Sequence, residues 1–113
     1  MFRWPDDADL ARAPWLRGAA DVMQERSDVL REAGIYRVIA FGPAAQSELR
    51  RGGSIDLLIV PRTAVRVGHS SLAAWQTLLS EMLGRGIGVA LLQHLNDDQR
   101  NALGTGGIEL YRS

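Results

Sequence analysis

The sequence predicts an α/β (α+β) domain built on a small mixed sheet of about four strands with flanking helices. Three observations carry this. Short runs rich in β-branched and aromatic residues alternate with longer stretches whose apolar residues recur at helical spacing. Glycines and prolines fall at nearly every changeover. The length, 113 residues, suits one domain with a modest core and is too short for two.

The first thirteen residues are polar, with Asp6, Asp7 and Asp9, and read as a short helix or an arm. Pro14 suits the first turn of a helix, because it lacks an N–H that would go unpaired there. Leu16, Ala19, Ala20, Met23, Leu30 and Ala33 then predict a helix over 14–33, with Gly34 placed for a C-terminal left-handed turn. Tyr36 to Phe41 is a β-rich run closed by Gly42. A short helix is expected over Ala44–Arg51, broken by Gly52-Gly53. Ser54 to Val60 is the strongest strand, closed by Pro61. Ser70 is a plausible N-cap for a helix striped by Leu72, Trp75, Leu78, Leu79, Met82 and Leu83, and Gly84 and Gly86 stop it. Ile87 to Gln93 is a third strand. Asn96 caps a last short helix with Asp97 and Asp98 in its first turn; Gly104 to Gly107 ends it, and Ile108 to Tyr111 forms the fourth strand.

Composition closes several chemistries. There is no Cys and no Lys, so disulfides, thiolate nucleophiles, Cys-based metal sites and Lys Schiff bases are excluded. The two histidines, His69 and His94, are separated by a whole helix and lack ligand spacing. Thirteen Arg balance thirteen acids, and a zero net charge argues against direct nucleic-acid binding by bulk electrostatics. The balance is uneven along the chain: residues 1–34 carry a local −2 and residues 35–68 a local +3. The longest apolar run falls far short of the ~20 residues a bilayer span needs, and no secretory h-region follows Arg3. These features predict a soluble, cytoplasmic protein with no membrane partner.

One segment bears chemistry. Phe41-Gly42-Pro43 is followed by ten residues, 44–53, and then by Ser54-Ile55-Asp56-Leu57-Leu58. This run resembles the signature of the minimal nucleotidyltransferases of the DNA polymerase beta superfamily: a Gly-Ser turn after a strand, a spacer, then Asp-x-Asp on the next strand. The order of elements and the closing Gly-Ile-Glu-Leu-Tyr fit as well, so the resemblance spans about residues 18–112. It implies a nucleotidyltransferase-like fold over 1–113, with 1–13 as an N-terminal arm.

The letters at the working positions depart from that pattern. Residues i and i+2 of a strand share a face, so Asp-x-Asp aims two carboxylates at one metal-bound phosphate. Here Ser54 replaces the first Asp and Asp56 keeps the second. Pro43 replaces the Ser, removing its hydroxyl and a backbone N–H. Ala90 falls where the resemblance expects a third acid. The degenerate set is therefore Gly42, Pro43, Ser54, Asp56 and Ala90. Gly42 and Ser54 are the residues left to touch a nucleotide, and Asp56 the one left to touch a metal. Glu48 reads as a surface charge, and Asp97 and Asp98 as helix-start residues rather than substitute ligands.

Other residues have plain readings beside functional ones. Arg50-Arg51 is a solvated turn or a contact to phosphate or RNA. Trp75 and Met82 fit a core. Trp4 and Trp15 either pack the arm over the domain or anchor an interface.

Short members of the resembled family are typically antitoxins paired with HEPN-domain toxins, usually ribonucleases. The resemblance with its failed site thus implies a catalytically silent antitoxin or regulatory subunit that works by protein–protein contact in a hetero-oligomer, with no cofactor. The alternative is a divergent enzyme that uses Mg and ATP to adenylylate a partner protein.

Overall fold

The computed structural model describes residues 3–42, 55–62 and 68–113. The expected helix over 44–51, together with Pro43, Glu48, Arg50, Arg51 and Ser54, lies outside the described residues, as does the His69 side chain.

The chain opens with a short helix, α1 (Asp7–Arg12), so the polar start is a folded element. Asp6 caps it: its carboxylate accepts from the Asp9 N–H, and the Asp9 carboxylate accepts from the Asp6 N–H. Asp9 is fully buried and is held by Arg3 and Arg12. Donation from the Asp9 N–H is the main force holding the Asp6 carboxyl below its ordinary pKa, helped by the Asp9 side chain and the Arg3 charge and opposed by desolvation.

A depressed folded pKa means that this cap stabilises the arm above the unfolded value, about 3.9, and is lost as pH falls through the folded one. Protection of the Asp9 amide from hydrogen exchange should therefore fall on acidification below about pH 4. The Asp6→Asn variant, which caps without titrating, should flatten the part of that response due to Asp6.

The helix expected over 14–33 is two helices, α2 (Trp15–Glu25) and α3 (Ser27–Glu32), with Pro14 as the N-cap of α2. Arg26 leaves the helical region at φ −109° and ψ 32°. No Gly or Pro marks this bend in the sequence. Just past the bend the Tyr111 hydroxyl donates to the Ser27 carbonyl across 3.2 Å. Gly34 takes φ +85° and turns the chain into the sheet.

Four strands follow: β1 (Ile35–Phe41), β2 (Ile55–Pro61), β3 (Ile87–Ala90) and β4 (Ile108–Arg112). They lie in the order β3-β2-β1-β4, with β1 antiparallel to both β2 and β4 and β2 parallel to β3. The parallel pair requires a crossover, supplied by α4 (His69–Leu83). This helix starts one residue before the expected Ser70 cap. Gly68 is the N-cap in an extended conformation without a side-chain bond, and its carbonyl accepts from the Leu72 N–H. Gly84 ends the helix at φ +66°, as its position predicts.

The third strand is shorter than the expected 87–93. It stays paired only to Leu58↔Ala90, after which a 3-10 turn over Leu92–His94 carries the chain off the sheet edge. Asn96 caps α5 (Asp97–Gly106) in a full capping box with Gln99, as its sequence predicts.

Strand alternation divides the core in two. On one face Val38, Ala40, Ile55, Leu57, Ile59 and Ile87 pack under α2, α3 and α4, with Leu16, Met23, Leu30, Trp75 and Leu79. On the other, Ile39, Phe41 and Leu58 meet Leu95 and Leu103 of the α5 region. Among the described residues, no helix is long and apolar enough to cross a membrane.

Candidate functional site

Asp56 follows the first residue of β2 and is exposed while its neighbours Ile55 and Leu57 are buried. Antiparallel pairing sets it opposite Phe41 of β1, and parallel pairing sets it beside Gly88 of β3. It shares the α5 face of the sheet with Leu58, but lies at the end where β1 finishes at Gly42. Gly42 itself takes φ +80°, a conformation that favours glycine.

Two glycines flank the carboxylate. A Cβ on Gly88 would lie 2.8 Å from Asp56 Oδ1, and one on Gly42 would lie 3.6 Å from Oδ2. The first distance is shorter than real carbon–oxygen contacts, so the carboxylate occupies space that any side chain at 88 would need. Ala90 is one alternation further along β3, on the same face, paired with Leu58 and half-buried against the second core cluster. The β3 residues on the face of Asp56 are therefore Gly88 and Ala90, and neither carries an oxygen ligand. The structure thus brings Gly42 and Asp56 together and sets Ala90 on their face, one pair beyond Gly88; Pro43 and Ser54 lie outside the described residues.

Sequence reasoning missed Gly88. The signal was present, because parallel strands put paired residues side by side on one face, but the register itself is a non-local fact. It also missed Asp9 and Glu109 as buried charges. Glu109 on β4 is fully buried, paired with Arg37 of β1 and, across 2.8 Å, with Arg112.

The remaining candidates lie apart. His94 is exposed on the 3-10 turn, and Asp97 and Asp98 sit on the first turn of α5 as helix-start residues. Among the described residues, no group of three His, Asp or Glu is placed to hold a metal ion. Trp15 is half-buried and lines a cavity of ≈ 270 Å³ with Ala19, Val22, Ile55 and Met82. Trp4 is 50% exposed.

No protein-family profile matches the sequence, and no curated protein matches it. Solved structures do match by shape. A "putative minimal nucleotidyltransferase" superposes with a TM-score of 0.65 at 20% identity, covering 82% of this chain and 93% of that one. A chain from the crystal structure of a toxin–antitoxin with AMP-PNP gives 0.62 at 16% identity, covering 80% and 73%. A chain from the tri-AMPylated Shewanella oneidensis HEPN toxin in complex with MNT antitoxin gives 0.58 at 13%, covering 84% and 73%. At these identities the likeness establishes the fold, which is that of a minimal nucleotidyltransferase.

Proposed function

We propose that this minimal nucleotidyltransferase fold serves as a catalytically silent antitoxin, neutralising a HEPN-type ribonuclease toxin by binding it. Two solved structures with this fold come from toxin–antitoxin systems, and one of them contains a HEPN toxin. The observation that carries the silence is the pairing of Asp56 with Gly88. Metal-assisted nucleotidyl transfer needs several hard oxygen ligands converging on one place. Here the adjoining strand offers a glycine whose missing side chain is filled by the Asp56 carboxylate itself, and then an alanine. Ser54 and Pro43 add one hydroxyl and no second carboxylate. This donor set does not fit a two-metal triphosphate site. Asp56 is then a solvated carboxylate between two glycines, and binding resides in the surface of the domain.

Calorimetric titration with ATP and Mg²⁺ tests this directly: a flat trace is expected. The Asp56→Ala variant should bind and neutralise a HEPN-type toxin as the wild type does, within about twofold, because removing an exposed carboxylate usually shifts energies by under ~0.5 kcal/mol. Magnesium-dependent ATP binding, together with AMP transfer to the partner that Asp56→Ala abolishes, would instead establish the enzyme.

A further inference from the structure

The run from Arg3 to Asp6 is fastened at two points. Its main chain meets β4: Arg3 bridges Ile108 in parallel, and the Glu109 N–H donates to the Arg3 carbonyl across 2.8 Å. Its side chain reaches back to α1. The Arg3 guanidinium donates through both terminal nitrogens to the Asp9 carboxylate, at 2.8 and 2.9 Å. Arg12 donates to the same carboxylate across 2.7 Å, and the Asp6 N–H across 3.0 Å. Asp9 is fully buried, so these donors stand in for the water that its carboxylate has lost.

Apolar burial adds little to this hold. From Arg3 to Ala8 each residue is exposed except Pro5, which is partly buried, and Trp4 keeps half its surface in water. Apolar anchorage begins at Leu10, which packs against the larger core cluster, and at Ala13, which belongs to it. The C-terminal end of α1 is therefore pinned to the domain by its core, and the stretch before α1 is held by charge and hydrogen bonds. Local opening costs least where few apolar contacts are given up. Arg3 and Arg12 are each about half exposed, so both can turn to water when the pair breaks. The loss then falls on the arm and spares the sheet.

We infer that residues 3–6 form a strap that opens on its own while the rest of the domain stays folded, with the Asp9 carboxylate as its catch. Opening breaks the Arg3–Asp9 pair and bares the Glu109 N–H. The helices from α2 onward and the four-stranded sheet remain closed. The strap is independent of the antitoxin reading, since it involves neither Asp56 nor a partner.

The test is amide hydrogen exchange followed by NMR on the full chain, with circular dichroism melts showing that each variant folds. The Glu109 amide reports the strap, and the Leu58 amide, in the central strand β2, reports the domain. In the wild type Glu109 should be protected at least about tenfold less than Leu58. Asp9→Asn, which removes the charge at nearly constant shape, should lower Glu109 protection by a further tenfold or more, roughly, and that of Leu58 by less than about twofold. Arg3→Met, which deletes the guanidinium at a half-exposed site, should act in the same direction and serves if Asp9→Asn does not fold. Trp4→Ala should change Glu109 protection by less than about twofold, an exposed side chain contributing little. Equal protection of Glu109 and Leu58 in the wild type, falling together in Asp9→Asn or Arg3→Met, would overturn the inference by making the arm part of the global unfolding unit. Unchanged Glu109 protection in folded Asp9→Asn and Arg3→Met would overturn it by removing the catch. Trp4→Ala opening the strap as far as Asp9→Asn does would overturn it by assigning the hold to apolar contact.

Discussion

Replacing Glu109 with Ala should destabilise the domain by about 3–5 kcal/mol, the cost of stripping one partner from a buried ion pair. Glu109 is fully buried in β4, and Arg37 approaches it with both Nε and Nη2. Removing the carboxylate strips Arg37, whose side chain is only 19% exposed, of its buried counter-charge. Arg112 is 41% exposed and can turn to water. Replacing both members of the buried pair with apolar residues, Arg37→Met with Glu109→Leu, should recover most of the loss, because the desolvation of each charge disappears with it. Urea unfolding of the two single variants and the double variant measures the coupling. A Glu109→Ala loss under about 1 kcal/mol, the range of exposed pairs, would mean that water reaches the pair.

Trp75→Ala should cost about 3–5 kcal/mol, the range for a large aromatic deleted from a core. Trp75 lies in α4 at 3% exposure and packs among the residues beneath α2 and α3. Its indole N–H also donates to the Ala33 carbonyl across 2.8 Å, tying α4 to the end of α3 just before the Gly34 turn. Trp75→Phe separates the two contributions. It keeps most of the buried ring and leaves the Ala33 carbonyl without this donor, an expected loss of about 1–3 kcal/mol. In thermal melts the wild type should unfold at the highest temperature, Trp75→Phe below it, and Trp75→Ala lowest. Equal melting of Trp75→Phe and wild type would show that the carbonyl finds water instead.

Much of the fold was legible because local signals agreed with the global one. Glycines at 34, 42 and 84 marked the ends of elements, and all three have positive φ. Asn96 marked the start of the last helix, and the structure adds Gln99 as the second half of a capping box. The helical stripe with Trp75 and Leu79 correctly named a buried face. What failed to read was set at a distance. No residue around Arg26 announces the bend there, and the Tyr111–Ser27 hydrogen bond beside it joins positions 84 apart. β3 ends at Ala90 although β2 runs on to Pro61, because the chain turns off the sheet edge into the 3-10 turn over Leu92–His94. Nothing local in Ile-Glu-Leu-Tyr marks Glu109 as buried; its pairing with two arginines across the sheet does. At the candidate site, Asp56 and Gly42 were visible from spacing alone. Gly88 became visible only through the parallel register, and with it the physical reason that the carboxylate stands without an acidic neighbour on β3.

The N-terminal arm has a consequence for assembly. Arg3 forms a parallel bridge with Ile108, and its carbonyl accepts from the Glu109 N–H across 2.8 Å. The arm thereby acts as a short surrogate strand along the outer side of β4, and the Arg3–Asp9–Arg12 cluster clamps it there. A sheet margin left bare is a template for pairing with another chain. Arg3 thus occupies the Ile108–Glu109 end of this sheet edge, so strand pairing by another chain there must first displace the arm.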